Sequence, residues 1–133
     1  MSKYSLNKSD RLKSKSIIDG LFANSQTVKG FPVLILWTLT PLPELDAQPT
    51  PIKAAFTVSK KKFRRAVDRN RIKRLMREAL RLNRHSLSSA QIPVGFQLNI
   101  MMLYMTSDIL TFEQVERGMI KALKRLAHKF ESR

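Results

Sequence analysis

The chain has 133 residues and carries 25 Lys and Arg against 10 Asp and Glu, a formal net charge of +15. This length predicts one domain, and so large a positive charge predicts an acidic partner, either a nucleic acid or an anionic membrane surface. Because there is no cysteine, disulfides and thiolate metal sites are excluded, and we expect the reducing cytoplasm as the compartment. The amino terminus shows no secretory signal, and the longest apolar run is too short to span a bilayer.

The first half of the chain predicts a short helix followed by strands. Residues 1–13 are polar and basic and are expected to form a loose arm ahead of a helix from Lys15 to about Ala23. Phe31 to Leu39 is apolar on both faces, as in a strand covered on each side. Residues 40–51 contain four prolines and predict a surface loop.

The second half predicts a strand, a helix, a strand and a final helix. Ile52 to Val58 alternates as a half-buried strand, and Val94 to Tyr104 carries a second alternating pattern. Thr111 and Gln114 match a capping box that opens a helix with one apolar stripe. Because a helix lies between two strands, we expect a crossover onto a mixed sheet and an α+β fold.

The basic segment, Lys60 to Arg84, concentrates the charge of the chain. It holds 12 Lys and Arg against two acids, Asp68 and Glu78. From Arg69 onward the apolar side chains fall on one helical arc and the basic ones largely on the opposite arc, which predicts an amphipathic helix with one face for a core. Like charges at i and i+4 repel by about 0.2–0.5 kcal/mol per pair, so an external polyanion is the natural compensation. A helix face that is merely solvated usually carries both positive and negative side chains, whereas this face is almost entirely positive. This pattern favours RNA or DNA binding.

Candidate contacts follow from the chemistry of these side chains, because Lys and Arg neutralise phosphates with little sequence information. The predicted RNA-binding residues are the cations of the turn and helix with one amide: Lys60, Lys61, Lys62, Arg64, Arg65, Arg69, Asn70, Arg71, Lys73, Arg74, Arg77 and Arg81. Asn70 can read a base edge or a 2′-hydroxyl, or it can serve as a turn or cap residue at the helix start.

Aromatic rings beside a basic groove can hold single-stranded nucleic acid by stacking on its bases. The stacking candidates in this chain are Phe22, Phe56, Phe63 and Tyr104. Most aromatics of the chain are expected in the core, whereas Phe63, flanked by Lys62 and Arg64, is expected to face solvent.

No motif points to catalysis by the polypeptide itself. The two histidines, His85 and His128, have no evident Asp or Ser partner, and no cluster suggests a tight metal site. There is no glycine-rich phosphate loop, and the match of Ser59 and Lys62 to a β-lactamase motif lacks the other parts of that set. We therefore expect no catalytic residue, and any protein-bound metal stays unassigned.

The basic segment also carries a long and irregular motif. Val58-Ser59-Lys60-Lys61 is followed by Ala66-Val67-Asp68-Arg69-Asn70-Arg71-Ile72-Lys73-Arg74, and then by Arg77-Glu78 and Arg81. This order resembles the signature of the protein subunit of bacterial ribonuclease P. It is specific from Val58 to Arg81, far beyond a lone basic run.

The resemblance implies an αβββαβα two-layer sandwich whose mixed four-stranded sheet contains a left-handed βαβ crossover. This order includes a third early strand, which we expect to pair near Val28 to Phe31. The resemblance also implies two partners, a catalytic RNA that uses Mg²⁺ and the 5′ leader that this RNA removes from precursor tRNA, with no organic cofactor. By position, the contacts with the catalytic RNA would be Arg69, Asn70, Arg71, Lys73, Arg74 and Arg77. Phe22 matches the second aromatic of a pair on the first helix, which forms a cleft for the leader together with the sheet.

The chain departs from the family pattern at four places. The first aromatic of that pair is Ile18 here, which weakens the stacking assignment, and the usual glycine after the lysines is replaced in Lys62-Phe63-Arg64-Arg65. The later strand ends in Tyr104, where many members carry a basic residue. The Pro-rich insert, residues 40–51, is unusual.

Composition alone leaves two other classes of function open. One is a different nucleic-acid binder, such as a ribosomal or DNA-binding protein, which only the ordered motif argues against. The other is an amphipathic helix on a membrane surface. That class needs the apolar arc of residues 72–82 exposed to lipid, whereas a chain with this much strand pattern needs the arc for its core.

Overall fold

A computed structural model of the chain describes residues 15, 17–18, 20, 25–41, 52–86, 92–93 and 95–131. The elements in chain order are β1 Gln26–Gly30, β2 Val33–Pro41, β3 Ile52–Thr57, α1 Ala66–Asn83, a 3-10 turn Arg84–Ser86, β4 Phe96–Tyr104 and α2 Phe112–Glu131. The described residues between 15 and 20 are helical, as expected there. The predicted basic arm of residues 1–13 lies outside the described residues, and so does the Pro-rich loop, apart from its first two residues, which end β2.

The four strands form one mixed sheet in the order β1-β2-β4-β3. β1 pairs antiparallel with β2, and β2 pairs antiparallel with β4, whereas β3 runs parallel to β4. β1 is the additional strand expected near Val28, and α1 makes the predicted crossover between two parallel neighbours. The mixed α+β sheet is thus confirmed, while the hand of the crossover stays a prediction from the resemblance.

The alternation along the strands divides the apolar side chains between the two faces of the sheet. One face carries the main core, where side chains such as Ile35, Ile100 and Met102 are fully buried together with those of α1 and α2. The opposite face carries a smaller cluster around Leu36 and Met101, against which Ile17 and Ile18 of the first helical residues pack. Apolar runs on both faces of β2 and β4 are explained by this double cover.

Helix α2 begins where the capping box predicts. The backbone N–H of Gln114 donates to Thr111 Oγ1 at 3.2 Å, and the backbone N–H of Thr111 donates to Gln114 Oε1 at 3.0 Å. These reciprocal bonds satisfy donors that a helix start leaves without partners. The predicted apolar stripe is buried from Val115 to Phe130, and Phe130 packs its ring 5.2 Å from that of Trp37.

Two glycines bring α2 into backbone contact with the turn between β1 and β2. A Cβ placed on Gly118 would meet the backbone oxygens of Gly30 and Phe31, and a Cβ placed on Gly30 would meet the backbone of Gly118 and Ala122. Neither position has room for a methyl group, so the helix and the turn are held at a separation that only glycine permits.

We expect Gly118→Ala to destabilise the fold, although alanine favours an isolated helix over glycine by about 1 kcal/mol. The added methyl group would push against main-chain atoms that cannot rotate away, which costs about 1–3 kcal/mol in a packed site. Urea denaturation measures the free energy of unfolding. Gly20→Ala is the matched control, because Gly20 is helical and a Cβ there meets nothing within 4 Å. A Gly118→Ala chain as stable as the Gly20→Ala chain would contradict the close contact.

Candidate nucleic-acid interface

Helix α1 separates its apolar and basic sides as the periodicity predicts. Ile72, Met76, Ala79 and Leu80 are buried against the sheet and α2, so the apolar arc belongs to the core and is not free to lie on lipid. The helix starts at Ala66, after an extended Arg65 that provides no side-chain cap. The described part of the chain contains no helix that is long and apolar enough to cross a membrane.

The twelve predicted RNA-binding residues, here called the basic ridge, lie on the outer side of α1 and on the turn before it. Eight of them are exposed, namely Lys60, Lys61, Lys62, Arg64, Arg65, Asn70, Arg71 and Arg74, and four are half-buried, namely Arg69, Lys73, Arg77 and Arg81. The structure therefore brings the predicted residues together on one surface. Asn70 lies in the second turn of the helix and not at its start, so the alternative role as a cap residue is wrong.

One cation of the basic ridge is neutralised by a neighbouring carboxylate. Arg81 Nε donates to Glu78 Oε2 at 2.9 Å, and a second nitrogen of the same guanidinium contacts Oε1. This hydrogen bonding lowers the pKa of Glu78 below its usual value and raises that of Arg81. Among the described residues, no carboxylate forms an ion pair with the other ten cations of the ridge. Their charge is therefore available to a partner.

Arg69 has a structural role that the sequence did not indicate. Its Nη1 donates to the backbone carbonyl oxygens of Phe63 and Arg64, at 2.8 and 2.9 Å. The side chain thus ties the first turns of α1 to the loop that precedes the helix. Arg77 also has an internal contact, because its guanidinium lies 5.5 Å from the centre of the Phe56 ring, within the range of a cation–π interaction.

The expectation that Phe63 faces solvent is wrong. Its side chain is 6% exposed and packs with a ring-centre distance of 5.9 Å against Tyr104, which is 4% exposed. The flanking cations point outward while the ring between them turns inward, where it anchors the basic turn to the end of β4. Lys62 strengthens the same anchor, because its Nζ donates to the carbonyl oxygen of Met105 at 3.0 Å.

The other stacking candidates do not form an exposed aromatic surface either. The Tyr104 hydroxyl donates to the Asp108 carbonyl oxygen at 2.7 Å and accepts from the Leu110 N–H at 3.0 Å, and burial raises its pKa. Phe56 is half-buried on the face that α1 covers, opposite the face on which Ile18 packs. Phe22 lies outside the described residues. Stacking on Phe63 or Tyr104 is therefore corrected to a core role, because neither ring offers a face to a base.

Sequence reasoning missed the most exposed aromatic ring among the described residues. Phe31 is 63% exposed in the turn between β1 and β2, although it was expected to begin a strand. The pair Gly30-Phe31 before Pro32 contained the signal, because glycine and proline together favour a turn over a strand start.

In the described part of the chain, no group of three or more His, Asp or Glu side chains could hold a metal ion.

Comparison with known proteins agrees with this geometry. The family model described as Ribonuclease P matches residues 6–127. The chain belongs to the ribonuclease P protein family. It is similar to the ribonuclease P protein component of Porphyromonas gingivalis, with 33% identity over 124 residues that cover 93% of this chain and 88% of the relative.

Solved structures of ribonuclease P proteins share the fold. The Staphylococcus aureus protein superimposes with a TM-score of 0.64 at 21% identity, covering 90% of this chain and 96% of the other. The Thermotoga maritima protein gives a TM-score of 0.61 at 22% identity, covering 86% and 96%. At such identities the likeness concerns the fold alone.

We expect Arg69→Ala to lower the free energy of unfolding by about 1 kcal/mol, because two carbonyl oxygens of the basic turn lose a charged donor. Chemical denaturation measures this change. Arg71→Ala removes the same kind of side chain from an exposed position on the same helix and should leave stability unchanged. Equal stability of the two variants would show that the hydrogen bonds of Arg69 contribute nothing to the fold.

Proposed function

We propose that this ribonuclease P protein binds the catalytic RNA of the enzyme through the basic ridge and assists that RNA in removing the 5′ leader from precursor tRNA. The observation that supports the proposal is the ridge itself. Ten of its cations have no carboxylate partner among the described residues, and the helix that bears five of them is held by a buried apolar arc. Such a surface binds a polyanion without first having to break internal ion pairs.

The ridge suits the backbone of a folded RNA better than a single phosphate group. An 18-residue helix is about 27 Å long, so its cations can follow a strand over several nucleotides. Each phosphate that is neutralised releases condensed counterions, and this release provides affinity without sequence specificity. The amide of Asn70 adds a donor and an acceptor among the cations, and it is exposed, so it can reach a base edge or a 2′-hydroxyl.

The polypeptide has a binding role in this proposal and no chemical one. Mg²⁺ would supply charge stabilisation and an activated water at the scissile phosphate. The described residues offer no cluster of ligands for such an ion, so we assign it to the RNA. The leader would pass along the sheet face that Ile17 and Ile18 border. Phe22, which lies outside the described residues, remains a stacking candidate from the resemblance alone. We assign the chain to the cytoplasm, where precursor tRNA is made.

Reconstitution tests the proposal directly. The protein, added to a bacterial ribonuclease P RNA at low Mg²⁺, should restore leader removal from precursor tRNA. Its affinity for the RNA should fall steeply with salt, with a slope that reflects roughly 5–8 phosphate contacts. Arg74→Ala should weaken RNA binding at unchanged thermal stability, because Arg74 is exposed and has no described partner. Equal affinity for the catalytic RNA and for any duplex DNA, without stimulation of cleavage, would instead favour a general nucleic-acid binder.

We expect Glu78→Gln to tighten RNA binding, because it removes the carboxylate that occupies Arg81 and leaves the guanidinium free for a phosphate. The slope of log affinity against log salt should grow by up to about 1, the contribution of one additional phosphate contact. The control is the same substitution in an Arg81→Ala chain. If Glu78→Gln changes affinity equally in both backgrounds, the gain comes from general charge and Arg81 is not an RNA contact.

A further inference from the structure

A second surface with the chemistry of an RNA contact lies at the turn between β1 and β2. The ring of Phe31, 63% exposed, borders a cavity of about 210 Å³ that Arg117 and Lys121 of α2 also line. This volume is below the roughly 300–1,000 Å³ of typical small-molecule sites, so the cavity suits part of a larger ligand. None of these three residues belongs to the basic ridge or to the cleft beside the first helix.

The position of Phe31 is fixed by the backbone around it. Gly30 and Gly118 hold the turn against α2 without space for a methyl group, and the Met105 N–H donates to the Pro32 carbonyl oxygen at 2.8 Å. An exposed aromatic side chain normally costs free energy in water, yet here it is presented from a turn that is clamped on two sides. An exposed ring on a backbone held in place is suited to stack on a base.

The charge next to the ring is positive. Arg117, Lys121 and Lys124 follow the i, i+4, i+7 spacing of one helix face, and all three are exposed. Two exposed acids, Asp108 and Glu113, belong to the same end of the molecule, but within the described ranges neither forms an ion pair with these cations. The cations are therefore free to bind phosphates.

The floor and the rim of the cavity suit a base as well. Besides Phe31 and the two cations, the cavity is lined by Pro32, Leu110, Gln114 and Gly118. Gln114 uses its Oε1 in the capping box, which leaves its Nε2 as a hydrogen-bond donor at the rim. An apolar floor with one polar group at the edge matches the flat face and polar edge of a nucleobase.

This surface continues the basic ridge across one end of the sheet. β3 ends opposite Leu103, and β2 begins opposite Tyr104, so the basic turn and the Phe31 turn leave the sheet on the same side. The segment after β4 connects them, because the Met105 carbonyl oxygen accepts from Lys62 and its N–H donates to Pro32. β3 and β2 are two strand spacings apart, about 10 Å, which a bound RNA strand can bridge.

We propose that Phe31, Arg117 and Lys121 form a second contact for the catalytic RNA, in which an unpaired base stacks on Phe31 while neighbouring phosphates pair with Arg117 and Lys121. The proposal rests on the function proposed above, because it assumes that the RNA bound to the basic ridge also reaches across the end of the sheet. Because this surface is continuous with the ridge, the catalytic RNA is favoured over a protein partner. A protein partner would have to present carboxylates that match these cations.

The test measures the affinity of the full chain for fluorescently labelled catalytic RNA at several salt concentrations, without precursor tRNA. Phe31→Ala should weaken binding by about tenfold or more with an unchanged salt slope, because a stacked base is lost and no phosphate contact is. Phe31→Trp should restore the affinity. The double variant Arg117→Gln with Lys121→Gln should instead lower the slope by about 1.5, the share of two phosphates.

Two matched variants serve as controls. Phe96→Ala removes a ring that is 41% exposed at the opposite end of the sheet, and Lys129→Gln removes an exposed cation from another side of α2. Both should bind the RNA as the unmodified chain does. Thermal melting identifies any variant that has lost its fold, and the Phe31→Trp chain then decides between stacking and a structural defect.

The outcomes separate this inference from the proposed function. If Phe31→Ala binds the catalytic RNA like Phe96→Ala while Arg74→Ala binds weakly, the second contact is wrong and the function of the ridge stands. An effect that appears only when precursor tRNA is present, or a change only in self-association, would also overturn the proposal. If the unmodified chain does not bind the RNA at all, the function proposed above fails first.

Discussion

The structure depends on the burial of one face of α1 against the sheet and α2. The outer face of that helix places like charges one turn apart, which weakens a helix in isolation. Fully buried side chains such as Ile72 and Met76 provide the compensating free energy, at about 25 cal/mol for each Å² of apolar surface removed from water. The core therefore keeps a set of mutually repelling cations in a fixed array, and this array is the property on which the proposed RNA binding rests.

At the end of the sheet that precedes α1, several internal contacts hold the basic turn in place. Phe63 and Tyr104 pack below the basic turn, Lys62 binds the backbone of Met105 above it, and Arg69 holds the carbonyl oxygens of the loop. These interactions are internal, while the neighbouring Lys61, Arg64 and Arg65 are exposed. Structural and functional roles are thus shared among adjacent residues of one short segment, in which the buried ring of Phe63 lies between exposed cations.

Periodic patterns were sufficient to predict much of this fold. The arcs of α1, the capping box of α2 and the alternation in β3 and β4 depend on local geometry, which the sequence records directly. The burial of Phe63 could not be predicted in this way, because a turn has no periodic pattern. The ring of Phe63 is buried because it packs against Tyr104, which lies 41 residues later in the chain. Phe31 was misassigned for a different reason, since the apolar run that includes it outweighed the turn signal of Gly30 and Pro32 on either side.

The pairing of Arg69 with two carbonyl oxygens shows a further limit of sequence reasoning. Within the motif, Arg69 and Arg71 carry the same side chain two residues apart, and nothing in the sequence distinguishes them. The structure separates them, because one lies beside the loop before the helix and the other points away from it. A charged motif can therefore contain residues selected for the fold as well as residues selected for the ligand.

The repulsion between the cations of α1 affects how stable the protein is in the cell with and without a bound partner. A polyanion that binds only the native state raises its stability by mass action, and here it also relieves the strain between neighbouring cations. We therefore expect copies without bound RNA to open locally more often and to be degraded first by proteases. The abundance of the protein would in this way follow the supply of its nucleic-acid partner, without a dedicated regulatory site.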